Sequence, residues 1–591
     1  MGPHANGYGK AKNKRFAWKE FRHSIKPYVW QIVASIILAV GAALAALFIP
    51  KLLGDMTNIA VATYPEIDWG QISSKAITVI ILFLVAAVLS YAQAFILAVV
   101  SAKYTKDLRT RVLEKIGRLP IAYFDRHKYG DTLSRMTNDI DVLTTSMSQE
   151  IADISLSITT LVGVMVLMLT ISVPLSLVSF VVVPVSVLVV GRIAAFAQKY
   201  FREQQATLGV LNSKIEEDYA GHVVIKANSY ETAATTSFME TNQKLTRAAT
   251  LAQVFSALSF PVTHIFTNLG YIGVCVLGGM YAIEGQISIG SIQAFIQYVS
   301  RFNRPITEIA STVSTIQALL AASERVFEFL LEPEEEPDNE PALTIPAVKG
   351  EVEFHDVCFS YDGKTPIIRD FSIKVKPGTN VAIVGPTGAG KTTIINLLMR
   401  FYEPNSGYIT VDGAPIREMK RSDVRGMFGM VLQDTWLFSG TVEENLRYGR
   451  RGATFDEIKR AADEANVEHV IEALPKGYKT EISEDSDNIS AGEKQLLTIA
   501  RAMVANPPMM ILDEATSNVD TRTEHLIQDS LENLTEGRTS FVIAHRLSTI
   551  RNADLILVMR DGQIVEQGDH KSLLAADGFY AELYNSQFAE N

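Results

Sequence analysis

The first half of the chain holds apolar runs that are as long as a lipid bilayer is thick. A helix needs ~20 residues to cross the hydrocarbon layer. Since lipid offers the backbone no hydrogen-bond partners, runs of this length must fold as helices. The sequence therefore predicts six transmembrane helices, of which the sixth is the least hydrophobic. The runs are roughly Val29–Leu53, Ala76–Val100, Ser155–Ile171, Leu175–Ile193, Ala257–Ala282 and Ile289–Ile309.

Basic residues set the orientation of these runs. Lysine and arginine are concentrated before the first run and between the second and the third, which places the N-terminus in the cytoplasm by the positive-inside rule. The connections after the second and fourth runs are helical in pattern through Lys103–Ile116 and Leu208–Ile225. We expect the spans to continue as helices into the cytoplasm. Breaks at 119–130 and 219–230 predict short helices that touch another domain.

The second half has a different pattern. With 591 residues the chain exceeds the ~250–300 residues at which single cores stop growing. A segment rich in proline and acid, 333–346, predicts a solvated linker. Beyond it, β-rich strings alternate with helical strings, which predicts a three-layer α/β domain. The net charge of −11 gives no reason to expect a nucleic-acid partner.

One glycine-rich string carries a specific signal. GPTGAGKTT directly follows the apolar strand 380–384 and opens a helix over 393–399, which is the required context of a phosphate-binding loop of the Walker A type. Glycine permits positive φ, so that successive backbone N–H groups turn toward phosphate oxygens. Lys391 would reach the β- and γ-phosphates of ATP, and the Thr392 hydroxyl would ligate Mg²⁺. The candidate ATP-binding residues are Gly385, Pro386, Thr387, Gly388, Ala389, Gly390, Lys391, Thr392 and Thr393.

Two adjacent carboxylates follow another apolar strand, 509–512. The carboxyl end of a strand is where an α/β sheet places ligand chemistry. Asp513 is predicted to lie on the Mg²⁺ side, and Glu514 to polarise the attacking water. Without other motifs, a solvated Asp-Glu turn would be the better explanation of this pair. Because a phosphate loop precedes it in the chain, a catalytic role is favoured.

With these motifs the chain resembles an ATP-binding cassette (ABC) exporter half-transporter of the multidrug type over nearly its whole length. The resemblance implies an α-helical membrane domain fused to an α/β P-loop nucleotide-binding domain, with ATP and Mg²⁺ as cofactors. It also implies roles for four motif residues. Tyr361 would stack on adenine, and Gln433 would sense Mg²⁺ and water. Asp520, the last residue of the D-loop, would bind the nucleotide, and His545 would contact the γ-phosphate.

The resemblance further implies a domain division. Residues 1–27 would form a cytoplasmic tail and interfacial elbow helix, 28–331 the membrane domain, 332–348 the linker and 349–591 the nucleotide-binding domain. Tyr123–Arg135 resembles the first coupling segment, and 219–230 stands where the second should be. In relatives such a segment docks on a nucleotide domain beside the Q-loop. A capped surface helix is the open alternative.

The signature string departs from the family pattern. Ile489–Glu493 reads ISAGE where relatives read LSGGQ, so that Ser490 and Gly492 remain. Ala491 adds a methyl group, and Glu493 brings a charge near a polyanion. In Thr480–Ser486, Ser483 and Asp485 stand where relatives have Gly and Arg.

In this family each ATP lies between one Walker A loop and the opposite chain's signature. An altered signature beside intact Lys391, Asp513, Glu514 and His545 favours a heterodimer. This chain's catalytic residues would then meet the signature of a non-identical half-transporter. The alternative is a homodimer that tolerates the change.

The expected activity is ATP-driven export of a small amphipathic or hydrophobic substrate across the inner (cytoplasmic) membrane, as a multi-pass protein, by alternating access. Import (of a siderophore, for example), lipid flipping and a non-transporting ABC role are alternatives. Polar residues within the runs are candidate substrate contacts, or hydrogen-bonding residues between helices. These are His264, Asn268, Tyr271, Gln293, Gln297, Tyr298 and Arg301.

Overall fold

The computed structural model describes residues 11–433, 435–483, 489–513, 520–544 and 547–588. The chain forms two compact units. The first comprises Met1–Arg118 and His127–Pro333, and the second comprises Leu119–Arg126 and Glu334–Asn591. The segment Leu119–Arg126 thus belongs to the unit formed by the C-terminal half, although in sequence it lies between the second and third predicted spans.

The first unit is helical, and its long helices extend well beyond the apolar runs, as predicted. Helix α3 continues to Ile116 and α8 to Ala220, and short helices occupy both predicted breaks. The helices, with α4 from the second unit, are α1 (Lys14–Ser24), α2 (Val29–Ala62), α3 (Trp69–Ile116), α4 (Ile121–Arg126), α5 (Tyr129–Ser134), α6 (Ile140–Thr145), α7 (Ile151–Ile171), α8 (Val173–Ala220), α9 (His222–Ala227), α10 (Glu231–Ile283) and α11 (Ile289–Leu331).

Five helical segments in the described part of the chain are long and apolar enough to cross a membrane. They are Lys26–Ala62, Trp69–Ile116, Tyr129–Ile171, Val173–Ala220 and Glu231–Ile283. The predicted break between spans three and four is confirmed, because Ser172 is extended and Pro174 occupies the first turn of α8, where its missing N–H costs nothing. The sixth predicted span lies in α11, which is one continuous helix but less apolar. That span stays a prediction.

The second unit contains two main sheets. A six-stranded sheet has the order β12-β11-β3-β10-β9-β6, with only β12 antiparallel to its neighbour. A four-stranded antiparallel sheet has the order β2-β1-β4-β5, and β7 pairs with β8. The strands are β1 (Val352–Phe359), β2 (Ile368–Val375), β3 (Asn380–Val384), β4 (Ser406–Val411), β5 (Ala414–Pro415), β6 (Phe428–Val431), β7 (Gly440–Thr441), β8 (Glu481–Ile482), β9 (Met509–Asp513), β10 (Thr539–Ile543), β11 (Leu555–Arg560) and β12 (Gln563–Gly568).

Side-chain alternation along β9 places two helices on opposite faces of the six-stranded sheet. Met509 and Ile511 pack in one apolar cluster with α12, whereas Met510 and Leu512 pack in another with α17. Successive residues of a strand point to opposite faces, so α12 and α17 are separated by the sheet. The helices of this unit are α12 (Lys391–Leu398), α13 (Arg421–Gly426), α14 (Val442–Arg447), α15 (Phe455–Glu464), α16 (Glu468–Ala473), α17 (Ala491–Ala505), α18 (Thr521–Thr535), α19 (Leu547–Arg551), α20 (His570–Ala575) and α21 (Phe579–Phe588).

The acidic segment after α11 is largely exposed, as expected of a solvated linker, but arginines hold several of its carboxylates. Asp338 lies 2.9 Å from Arg421 and 3.6 Å from Arg400, and Glu335 lies 3.3 Å from Arg425. Arg400 is buried, and it also donates to the backbone carbonyls of Ile416 and Met419. Acidic composition therefore reflected charge complementarity with a basic cluster that is distant in sequence.

We predict that Arg400→Ala destabilises the second unit. The substitution leaves two carbonyls and the carboxylates of Glu403 and Asp338 without their partner. Loss of one partner from a buried ion pair costs about 3 kcal/mol, which corresponds to a fall of roughly 6–12 °C in the unfolding midpoint. Calorimetry of the detergent-solubilised chain measures it, with exposed Arg417→Ala as the control. Equal midpoints for both variants would contradict the buried role.

Candidate functional site

The carboxyl ends of three parallel strands meet at one edge of the six-stranded sheet. Strand β10 lies between β3 and β9, and Ile543 is paired with Ile383 on one side and with Asp513 on the other. The segments that follow these three strands therefore begin side by side at the same edge of the sheet. The glycine-rich loop, the acid at the end of β9 and the segment after β10 converge there, as the motif order predicts.

Three glycines shape the loop between β3 and α12. Gly385, Gly388 and Gly390 have φ of 153°, 84° and 99°, which residues with a Cβ rarely adopt. At Gly385 a Cβ would lie 2.3 Å from the carbonyl oxygen of Met559, whereas at Gly388 nothing lies within 4 Å. Pro386 and Thr387 are exposed, and Ala389 is buried. Positive φ at three positions is the backbone geometry in which successive N–H groups of such a loop can face a phosphate at the start of a helix.

Lys391 is the first residue of α12, and its ammonium group folds back over the loop. Nζ donates to the carbonyls of Gly385 at 2.7 Å and Pro386 at 3.2 Å. Burial lowers the pKa of Lys391 from its ordinary value, and the nearby negative charge of Asp513 offsets part of that shift. Lys391 and Asp513 therefore interact electrostatically at the sheet edge. Thr392 is exposed next to them.

Oxygen donors suited to Mg²⁺ lie at this edge. Gln433 follows β6, whose last residue Val431 is paired with Leu512, immediately before Asp513. Its exposed amide, the Asp513 carboxylate and the Thr392 hydroxyl are hard oxygen ligands. Among the described residues no group of three or more His, Cys, Asp or Glu forms a metal cluster. The donor set fits Mg²⁺, which typically takes one or two carboxylates together with substrate phosphates.

The two residues expected to perform the hydrolysis lie outside the described residues. Glu514 follows Asp513 directly, and His545 follows Ala544, the residue after β10. The same holds for Asp485 near the signature. Their roles stay predictions.

Tyr361 lies two residues after β1 in a cluster of aromatic rings. Its ring meets Phe359 at 4.8 Å and Tyr402 at 4.9 Å, both edge to face. Its hydroxyl lies 3.2 Å from the Thr393 hydroxyl and accepts from the Asn396 amide at 3.4 Å. The predicted adenine-stacking residue is thus tied to the helix that follows the phosphate loop.

The signature serine begins helix α17 through a closed capping box. The Ser490 hydroxyl accepts from the Glu493 N–H at 3.3 Å. Glu493 Oε2 in turn accepts from the Ser490 N–H at 2.7 Å and from its hydroxyl at 2.8 Å. Glutamate at position 493, where relatives have glutamine, therefore preserves the start of the helix. It also places a full negative charge in contact with the hydroxyl that would grip a phosphate.

Asp520 has a structural role. It is the N-cap of α18, and its Oδ2 accepts from the backbone N–H groups of Thr523 at 3.0 Å and Arg522 at 3.1 Å. These hydrogen bonds, above all the one from Thr523, lower the pKa of the Asp520 carboxyl. Nucleotide contact by Asp520 stays a prediction.

Polar residues of α11 are bonded to α2. Pro50 lies inside α2 and has no N–H for the carbonyl of Ala46, and Arg301 donates to that carbonyl at 2.9 Å. Tyr298 donates to the carbonyl of Leu47 at 2.9 Å. Gln293 accepts from Thr57. For these residues, contact between helices explains the polar side chains without a substrate.

The polar residues of α10 differ from those of α11. His264, Asn268 and Tyr271 are exposed in the single chain, and their spacing places them along one side of the helix. Gln297 on α11 is half-buried. The α10 residues are therefore available for a substrate or a second chain.

Sequence patterns did not identify Tyr402, Asp125 or Arg126. Arg126 donates to the Tyr361 carbonyl at 2.7 Å, and Tyr402 donates to Asp125. Asp125 and Arg126 lie in the predicted coupling segment, whereas Tyr402 lies far from them in sequence and no motif pointed to it. Asp125 and Arg126 of that segment are bonded beside Tyr361, and its docking beside Gln433 stays a prediction.

Comparisons with protein families agree with this architecture. Residues 32–306 match the family model described as ABC transporter transmembrane region, and residues 368–517 match the model described as ABC transporter. The first match lies in the first unit except for Leu119–Arg126, and the second match lies in the second unit.

Three similar proteins cover most of the chain. A fatty acid ABC transporter ATP-binding/permease protein of Mycobacterium tuberculosis is 48% identical over 88% of this chain and 82% of its own length. A putative multidrug export ATP-binding/permease protein of Bacillus subtilis is 33% identical over 96% of this chain and 99% of its own length. An ATP-dependent lipid A-core flippase of Syntrophus aciditrophicus is 34% identical, covering 87% of this chain and 86% of that protein.

The loop geometry predicts unequal effects of two glycine substitutions. Gly385→Ala drives a Cβ into the Met559 carbonyl and should lower the free energy of unfolding by about 3 kcal/mol, whereas Gly388→Ala incurs only backbone strain of about 1 kcal/mol. Thermal unfolding of the full chain, with and without ATP, compares them. Equal losses would contradict the described packing of the loop.

Proposed function

The chain belongs to the ABC transporter family as an ATP-driven exporter of the multi-pass membrane type, and on that premise we propose that it is the hydrolysing half of an unequal pair. In this proposal Lys391, Asp513, Glu514 and His545 act on an ATP that is closed by the signature of a non-identical partner. The chain's own signature faces a second ATP that turns over slowly. The proposed domains are a cytoplasmic tail with an elbow helix (1–27), a membrane domain (28–331), a linker (332–348) and a nucleotide-binding domain (349–591).

The proposed hydrolysis uses the residues that converge at the sheet edge. The loop Gly385–Thr393 holds the phosphates through backbone N–H groups, and Lys391 releases its bonds to the loop carbonyls to reach them. Thr392, Gln433 and Asp513 would hold Mg²⁺, which would supply positive charge to the phosphates when bound. Glu514 polarises the attacking water, and His545 contacts the γ-phosphate.

Two features support closure of each site by two chains. The phosphate loop leads into α12 and the signature opens α17, and these helices pack on opposite faces of one sheet. In addition, α9 has no buried residue, and its Val223 and Val224 are 78% and 65% exposed. Apolar side chains exposed side by side indicate a surface that a second chain covers.

The capping box supports the inequality of the two sites. The Ser490 hydroxyl donates a hydrogen bond to the Glu493 carboxylate, so that it is directed to a carboxylate in place of a phosphate. A glutamine at this position closes the same box without a charge. The carboxylate repels a polyphosphate across a low-dielectric interface, where Coulomb interactions are stronger than in water. This contact is the observation on which the proposal of a weak second site rests.

We propose a lipid-like amphipath as the substrate. The Mycobacterium tuberculosis relative is named for fatty acids, and the exposed polar line of α10 gives a lipid-embedded surface that accepts a polar head group. Flipping of a larger lipid is the second candidate, since a lipid A-core flippase is among the relatives. Import and a homodimer with two equal sites are the remaining alternatives.

Repair of the signature is predicted to activate the isolated chain. Alone, the chain can form only sites with the altered signature, and its ATPase rate should be low. Ala491→Gly with Glu493→Gln removes the methyl group and the charge and should raise that rate about tenfold, which is 1.4 kcal/mol in barrier height. Phosphate release from the purified chain in nanodiscs measures it.

The matched control is Glu464→Gln, which removes a charge from an exposed position on α15. It should leave the rate unchanged. A wild-type chain that hydrolyses ATP alone as fast as the repaired variant would remove the case for unequal sites.

The direction of transport is tested in inside-out vesicles that contain the chain and its partner. Export predicts ATP-dependent accumulation of a fluorescent fatty acid inside the vesicles. ATP-dependent depletion would indicate import, and exchange between leaflets without release into the lumen would indicate flipping.

A further inference from the structure

Two adjacent residues of the short helix α4 are hydrogen-bonded to the rest of the second unit. Arg126 donates to the backbone carbonyl of Tyr361 at 2.7 Å, and the Asp125 carboxylate accepts from the Tyr402 hydroxyl. Both bonds lie at the aromatic cluster that surrounds Tyr361. Helix α4 is also linked covalently to α3 through residues 117–120.

Tyr402 connects these contacts. Its ring packs edge to face against Tyr361, with centroids 4.9 Å apart and planes at 89°, and it contacts Phe359 at 5.5 Å. Edge-to-face pairs depend on geometry as well as on buried area. A Tyr361 ring that reorients to stack on a base must therefore displace Tyr402 or lose this contact.

The hydroxyl of Tyr402 is suited to a permanent donor role. Burial, followed by the neighbouring Asp125 carboxylate, raises its pKa above the ordinary value. The hydroxyl therefore keeps its proton at physiological pH, and Asp125 keeps a donor. Tyr402 lies four residues after the end of α12, so it is also close in sequence to the helix that follows the phosphate loop.

We propose that Tyr402 is a positioning residue that transmits occupancy of the adenine site from Tyr361 to Asp125 of helix α4. The inference rests on the proposed stacking of adenine on Tyr361 and deepens it. The ring of Tyr402 contacts the ring of Tyr361, and its hydroxyl donates to Asp125 of α4. The triphosphate alone should not produce the response, because it lacks the base that would stack on Tyr361.

Hydrogen exchange of the full chain in nanodiscs tests the proposal. In the wild-type chain, a non-hydrolysable ATP analogue with Mg²⁺ should slow exchange at both 385–393 and 119–126. Inorganic triphosphate with Mg²⁺ should slow exchange at 385–393 only. Tyr402→Phe should keep the protection at 385–393 and reduce the nucleotide-dependent change at 119–126 at least fivefold.

Two further variants separate this role from general damage. Asp125→Asn retains a carbonyl oxygen that accepts from Tyr402, so it should recover most of the response that Asp125→Ala loses. Tyr408→Phe removes a hydroxyl from an exposed tyrosine on β4 and should change nothing. Tyr402→Phe combined with Asp125→Ala should be no worse than either alone, because both remove the same bond.

The outcomes that overturn the proposal are distinct. A normal response at 119–126 in Tyr402→Phe, or an equal response to inorganic triphosphate, would refute the link from Tyr361 to Asp125. Absence of protection at 385–393 in the wild-type chain would instead refute nucleotide binding at the proposed site.

Discussion

The alternation of side chains along β9 is the constraint on which the rest of the account depends. It assigns Met509 and Ile511 to the face of the sheet that carries α12, and Met510 and Leu512 to the face that carries α17. The phosphate loop and the signature serine therefore begin helices on opposite faces of one sheet. The loop gathers phosphate-binding groups on its own, whereas the signature is directed elsewhere. In the proposed function a complete site takes its signature from a second chain, so the identity of that chain becomes a functional question.

The altered signature changes chemistry without changing local structure. Ser490 and Glu493 close a capping box of the kind that starts many helices, so α17 begins where it should. What differs is the charge and the direction of the serine proton. A homodimer would place that carboxylate in both of its ATP sites, beside catalytic residues that match the family pattern. In a heterodimer the Glu493 carboxylate affects one ATP site only. The other site combines this chain's catalytic residues with the partner's unaltered signature.

Much of the fold followed from the sequence, because long apolar runs, proline breaks and strand strings are local signals. The break at Ser172, the helical extensions of α3 and α8 and the loop after β3 were predicted correctly. Non-local contacts were not predicted. Strand β6 has only four residues, which is too short for a clear sequence pattern. The order of strands in the antiparallel sheet depends on pairing between distant segments. The acidic linker is held by Arg400 and Arg421, which are distant in sequence. Likewise, Tyr298 and Arg301 bond to α2 carbonyls near Pro50, which spacing could not distinguish from substrate contacts.

Vanadate trapping tests the central claim most directly. The chain is purified with its half-transporter partner, and labelled ATP and vanadate are added so that a transition-state analogue forms only where turnover has occurred. Photo-crosslinking and peptide mapping then identify the Walker A loop that holds the trapped nucleotide. Unequal sites predict trapped ADP on the peptide that contains Lys391 of this chain, with untransformed ATP on the partner's loop. Equal trapping of ADP on both loops would contradict the account.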